Sequence, residues 1–220
     1  MRKRKKRIKN RPLRGDVVTH YTYRLSNSLP YAVAIQLGEE LERHFAELDD
    51  AYPPPHLRSP AQSISYLLAA QDLRERYELR YESYLHQAQH GPMYLADPAA
   101  KRVIIDSWLT LEARGEVVVH VISVMSNHVH VVLSHPDPNG ISPVLPIFDR
   151  HQRFTATHIN RLQQQKGRRV WATTVFDRDV RPYRYWQVLA YVLNNPVKAG
   201  ITDDPLSWEG NYIAPALLSL

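Results

Sequence analysis

The sequence predicts an α+β fold, and three observations carry that reading. Short β-branched runs alternate with longer segments in which apolar residues recur every three or four positions. Once two N-terminal helical stretches are set aside, the order of elements is β–α–β–β–α–β–α. That order is the split βαβ of a ferredoxin-like antiparallel sheet with packed helices, followed by one further C-terminal helix. Residues 32–90 then form a helical insertion between the first strand and the first helix of the core.

Each element has a local reason. Asp16 to Leu25 is β-rich and reads as the first strand, ended by Leu29-Pro30. Residues 32–50 are helical, with Ile35, Leu37, Leu41, Phe45 and Leu48 at helical spacing. Ala51 to His56 holds three consecutive prolines and reads as a stiff, extended link. A second helix is expected from Pro60 to Gln89, with Pro60 at a first helical position and Gly91-Pro92 as the stop. Its Tyr66, Leu67, Leu73, Tyr77, Leu79, Tyr81 and Tyr84 are expected to form an apolar packing stripe rather than a platform for bases.

Residues 97–114 form the next helix, with Asp97 as N-cap, Pro98 behind it and Gly115 as the stop. Glu116 to Met125 and His128 to Ser134 are strands joined across a short Ser126-Asn127 turn. After a loop at Pro136–Gly140, Asp149 to Gln165 reads as a helix with Arg150, Arg153, His158 and Arg161 on its polar face. A basic turn, Gln164 to Arg169, leads to a short strand within Val170–Val180. Arg181 to Asn195 is the C-terminal helix, ended by Pro196 and Gly200, and the last twenty residues read as a loop.

Composition bounds the partners. The 220 residues are 44% apolar and 23% charged, as in an ordinary globular protein. The absence of cysteine excludes disulfides, thiolate metal sites and cysteine nucleophiles, and suits the reducing cytoplasm. No run is long enough to span a membrane, and the basic N-terminus lacks the apolar stretch of a signal peptide.

The charge is lopsided. Residues 1–14 hold nine basic side chains, among them Arg4, Lys5, Lys6 and Arg7, and no acidic one. The remaining 19 basic residues face 22 acidic ones, a net of −3, so the overall +6 belongs to the arm. A disordered arm over residues 1–15 is expected to neutralise phosphates on a nucleic acid; the plainer alternative is a solubilising tail. Residues 16–212 are expected to form a single domain, and 213–220 a tail.

The candidate chemistry begins at Ser126-Asn127-His128-Val129-His130-Val131-Val132-Leu133. Side chains on a strand alternate with period two, so His128 and His130 share a face. Two imidazoles so held can bind one divalent cation if a third ligand arrives; alone, they read first as a half-buried structural pair. A second element changes the balance. In the C-terminal helix, Gln187, Tyr191 and Asn195 lie four apart on one polar ridge, while Val188, Leu189 and Val192 face the core. An amide oxygen can complete a three-ligand site, and a tyrosine can act as a nucleophile. Tyr183, Tyr185 and Tyr212 lack that helical position and the downstream Asn-Pro; His120 and His135 read as structural.

The pair of motifs resembles a known family. Met125–Leu133, followed by Tyr191-Val192-Leu193-Asn194-Asn195-Pro196-Val197-Lys198-Ala199-Gly200-Ile201, is similar to the REP-associated tyrosine transposases. These are single-tyrosine nucleases of the His-hydrophobic-His class, related to the small insertion-sequence transposases. The similarity extends to Val18–Pro30, Gly91–Leu109 and Phe154–Asp179. One segment departs from it: relatives often read Trp-Gln-Arg-Glu before an aromatic-Asp pair, where this chain has Trp171-Ala172-Thr173-Thr174-Val175-Phe176-Asp177.

The resemblance implies a metal-dependent enzyme that nicks and transfers DNA strands. His128, His130 and Asn195 would hold Mg²⁺ or Mn²⁺, with Gln187 as a supporting or alternative ligand. Tyr191 would be the nucleophile, leaving a 5′-phosphotyrosine. Single-stranded or hairpin DNA would be the substrate, and relatives include monomers and homodimers. The arm, Arg178, Arg181 and Lys198 are candidates for phosphate contact. Two other functions fit the same residues: a domesticated DNA-binding protein with little turnover, and a zinc hydrolase using the histidine pair.

Overall fold

A computed structural model of the chain describes residues 18–87, 91–134 and 144–218, the side chains of residues 144 and 145 excepted. The basic arm, with Arg4, Lys5, Lys6 and Arg7, and His135 with its loop lie outside the described residues. The chain divides into two compact units, Leu29–Gly91 and the residues flanking that segment on both sides. Among the described residues no helix is long and apolar enough to cross a membrane.

The flanking unit is α+β. Its strands are β1 (Val18–Leu25), β2 (Val118–Val124), β3 (His128–Ser134), β4 (Trp171–Asp179) and β5 (Asn211–Ile213). They form one sheet in the order β4-β1-β3-β2-β5 with antiparallel pairings throughout. The first four give the ferredoxin-like order, with β1 and β3 at the centre. The fifth is a correction: the last twenty residues were expected to be loop, yet Asn211–Ile213 pairs with Val121–Ser123. Three residues are too few for period two to be read from sequence.

The helices of this unit follow from their caps and apolar faces. In α3 (Pro98–Ala113) the Asp97 side chain accepts from the Ala99 N–H at 2.9 Å, and Pro98 occupies the first turn, where its missing N–H costs nothing. The helix expected over 149–165 runs instead over Val144–Leu162, here α4. Pro146 lies in the first turn, which tolerates proline, and Ile147 and Phe148 are buried. One face of the sheet packs on α3 and α4 through Tyr21, Tyr23, Leu25, Val129, Val131, Ile104, Trp108 and Ile159. The other face packs on α5 (Tyr185–Leu193), where Val121, Val132, Val180, Leu189 and Val192 form a second, smaller cluster.

The Leu29–Gly91 unit is a hairpin of α1 (Tyr31–Asp50) and α2 (Pro60–Gln87). Ser59 and Gln62 close a capping box at the start of α2: the Gln62 N–H donates to Ser59 Oγ at 3.2 Å and the Ser59 N–H to Gln62 Oε1 at 2.9 Å. Tyr66 donates to Asp49 at 2.6 Å, and the Arg58 guanidinium lies 3.8 Å above the Tyr66 ring. The expected packing stripe on α2 is only partly realised. Tyr81 is buried, but Leu67 and Leu79 are more than half exposed.

Candidate active site

Alternation on β1 sends Tyr21, Tyr23 and Leu25 into the α3–α4 core, so His20, Thr22 and Arg24 point to the opposite face. The same rule on β3 puts Val129 and Val131 into that core and His128 and His130 on the α5 face. Register brings the two sets together: Thr22 pairs with His130, and Arg24 with His128. The result is a buried polar row at the centre of an otherwise apolar sheet. His128, His130 and His20 are all at most 5% exposed.

The two expected metal-binding histidines stand with ring centroids 4.9 Å apart. His128 Nδ1 lies 2.6 Å from Asn127 Oδ1. A carboxamide oxygen only accepts, so Nδ1 carries a proton, which in the neutral ring leaves the lone pair on Nε2. His130 Nδ1 has two neighbours, Thr22 Oγ1 at 3.0 Å and His20 Nε2 at 3.1 Å. His20, which sequence reasoning passed over, also stacks on His130. Burial, and secondarily the Arg178 guanidinium, bring its pKa down to about 3, so the ring is neutral. Counting by twos along β1 would have found it.

The tyrosine helix docks on this face. The Tyr191 ring meets His20 and His130 edge-on, at centroid distances of 6.2 and 6.4 Å. Lys198 lies over the same ring, its Nζ 3.5 Å from the centroid. The N-terminal end of α5 is tied to the sheet by the Tyr185 hydroxyl, 2.7 Å from His120 Nδ1, and His120 Nε2 reaches Ser134 at 3.0 Å. A register shift between Val119 and Val121 turns His120 towards α5. Desolvation lowers the His120 pKa and raises that of Tyr185, so both are neutral in that bond.

The single helix expected over 181–195 is a correction. A short 3₁₀ turn (Pro182–Arg184) precedes α5, α5 ends at Leu193, and α6 (Asn195–Lys198) begins anew. Pro196 explains the break. It has no N–H to donate to the Val192 carbonyl four residues back. The Asn195 side chain supplies that donor instead: its Nδ2 lies 3.2 Å from Val192 O and 3.1 Å from Tyr191 O. Asn195 is fully buried, and its Oδ1 has no hydrogen-bond partner. The amide is thus oriented by the helix end, with its oxygen as an available donor atom for a cation. Among the described residues no three His, Cys, Asp or Glu side chains are grouped to hold a metal.

The other expected residues fall as follows. Gln187 is exposed on α5 while Asn195 is buried, so the polar ridge does not run as one surface through both. Arg178 is opposite His20 on β4 and interacts with it electrostatically. Arg181 is exposed and donates to the Tyr183 hydroxyl at 2.9 Å. Phe176 pairs with Thr22 on β4, so the segment that departs from relatives runs along the edge of the histidine face.

The α+β sheet thus sets the His128-Val129-His130 strand against the helix that carries Tyr191. No family model and no curated protein matches the chain. Among solved structures, the chain is similar to a REP-associated tyrosine transposase bound to a REP hairpin. The identity is 12%, the TM-score 0.44, and the likeness covers 90% of this chain and 77% of that one. At that score it stands as a resemblance and adds nothing on the reaction.

Proposed function

We propose that this chain nicks and rejoins single-stranded or hairpin DNA, with Tyr191 as nucleophile and a divalent cation, Mg²⁺ or Mn²⁺, held by His128, His130 and Asn195. The observation that carries the reading is the convergence of two independent motifs on one sheet face: Tyr191 packs edge-on against His130, and the amide four residues on has a buried, unpartnered oxygen. The Nδ2 donors account for a polar residue at 195, but the buried Oδ1 is left at a cost of about 1–3 kcal/mol that a bound cation would offset.

In the reaction, the Tyr191 hydroxyl attacks phosphorus and loses its proton. The bond from phosphorus to the 3′-oxygen breaks, and that oxygen leaves as a 3′-hydroxyl once protonated. The 5′-phosphate stays on the tyrosine. One phosphodiester replaces another, so a 3′-hydroxyl can reverse the step without ATP. When bound, the cation would neutralise phosphate charge and polarise the phosphorus centre. Lys198, over the Tyr191 ring, favours the negative charge that develops on the phenol oxygen. Arg178 and Arg181 are suited to hold the strand by its phosphates.

The test is a covalent adduct. Labelled single-stranded hairpin DNA with Mn²⁺ should yield a protein–DNA species that survives denaturation and is absent in Tyr191→Phe. If Tyr191→Phe cleaves as well as the wild type, the nucleophile is not this tyrosine and a zinc hydrolase becomes the better account. Binding with no adduct across varied sequences and metals would favour a domesticated DNA-binding protein.

A further inference from the structure

His20 and Thr22 stand outside both motifs, yet they converge on a single atom. Thr22 Oγ1 and His20 Nε2 lie 3.0 and 3.1 Å from His130 Nδ1, and 3.5 Å from each other. The sheet register causes this. Thr22 is directly opposite His130, and His20 is two residues further along the same strand, on the same face. All three side chains are buried, so none of these contacts is exchanged with bulk water at low cost.

We infer that His20 and Thr22 are positioning residues, which together accept the Nδ1–H of His130 and so present its Nε2 lone pair to a divalent cation. The inference rests on the metal reading above and extends it to residues that the motifs do not contain. His128 is already fixed in that form, because Asn127 Oδ1 can only accept from its Nδ1. Two imidazoles 4.9 Å apart on one strand face can share a cation only if both offer a bare nitrogen. A hydroxyl and a neutral imidazole nitrogen are both competent acceptors for the second ring. Two acceptors on one N–H also restrain the ring against rotation about its χ angles, which a single rotatable hydroxyl would do less well.

Two measurements on the full chain without DNA test this. In the metal-free wild type, long-range ¹H–¹⁵N correlation should report His130 and His128 as Nδ1–H tautomers. A proton on His130 Nε2 overturns the proposal without any variant having to fold. Mn²⁺ binding by calorimetry supplies the second arm. Thr22→Val and His20→Leu should each weaken Mn²⁺ binding by roughly 10–100-fold. Thr22→Ser and His20→Gln, which keep an acceptor at the same reach, should restore most of the affinity. A purely structural role would show instead as lower thermal stability with Mn²⁺ affinity unmoved, and that result overturns the proposal. Wild-type Mn²⁺ binding that is absent, or unchanged in His128→Ala and His130→Ala, would defeat the metal reading itself. Loss of binding in those two alanine variants but not in Thr22→Val or His20→Leu would defeat only the present inference.

Discussion

The two ends of the Asn195 amide meet different surroundings. Its nitrogen donates to the carbonyls of Tyr191 and Val192 at 3.1 and 3.2 Å, standing in for the N–H that Pro196 lacks. Its oxygen is buried and carries no hydrogen bond. The two ends of the side chain therefore respond differently to substitution. Asn195→Asp removes the donor and sets a carboxylate against two carbonyl oxygens in a site shielded from water, which is costly until a cation arrives. The metal-free variant should melt several degrees below the wild type, and Mn²⁺ should raise its melting temperature by more than it raises that of the wild type. Equal Mn²⁺ shifts in the two proteins would show that the residue 195 oxygen is not a ligand. This behaviour could not be read from residue type alone. The sequence placed Asn195 four residues after Tyr191, but the reason its oxygen is available lies in the missing proline N–H.

Helix α5 reaches the sheet through a polar chain at one end and an apolar patch along its length. The Tyr185–His120–Ser134 chain pins its start, and Leu189 and Val192 bury its middle. Tyr185→Phe keeps the ring and removes the hydroxyl, leaving the half-buried His120 Nδ1 without that contact. The expected cost is about 1 kcal/mol in urea denaturation. If Tyr191 is the nucleophile as proposed, covalent adduct formation should slow by more than Mn²⁺ affinity falls, because the variant loosens the helix that carries Tyr191 and leaves β3 intact. An affinity loss as large as the rate loss would instead tie α5 to cation binding. At this scale the sequence was legible wherever a period was long enough to count. The strand with His128 and His130, the caps of α3 and the order of the core elements could all be anticipated. A three-residue strand has no period, so β5 was invisible. The restart at α6 was hidden because Asn-Pro reads as a stop, while the structure uses the same pair to begin a new turn. His20 and Thr22 were legible in principle, since β1 alternates as clearly as β3. They were passed over because neither belongs to a motif.

For the α+β unit as a whole, the sheet separates the face packed on α3 and α4 from the face that carries the proposed site, and the two differ in how they use histidine. On the α3–α4 face, His151 is enclosed by Tyr23, Ser107 and Trp108. Its Nε2 lies 2.7 Å from the Tyr23 hydroxyl, its Nδ1 lies 2.9 Å from Ser107 Oγ, and it stacks on Trp108 at 4.1 Å. Trp108 Nε1 donates to the Tyr23 oxygen at 3.0 Å, so the Tyr23 proton is directed at His151. Burial raises the Tyr23 pKa and keeps that proton in place. The ring is neutral and satisfied at both nitrogens, and burial lowers its pKa from 6.5 to about 3. The linkage follows from the sign of that shift. Above pH 6.5 neither the folded nor the unfolded chain protonates this ring, and its contribution to stability is complete. As pH falls from 6.5 towards 3, the unfolded chain takes up a proton that the folded chain refuses, and stability is lost. One such group contributes a slope of about 1.4 kcal/mol per pH unit through the middle of that window. His20 is depressed to a similar degree and adds its own slope, so the measurement has to be a difference. His151→Gln keeps polar atoms within reach of Tyr23 and does not titrate. It should be less stable than the wild type at pH 7, and its urea-derived stability should fall less steeply between pH 6 and 4. The His20 contribution is common to both proteins and cancels. Parallel stability curves would mean that His151 takes up its proton in the folded state, and the buried Tyr23–His151–Ser107 network would then have to open under mild acid without unfolding the sheet.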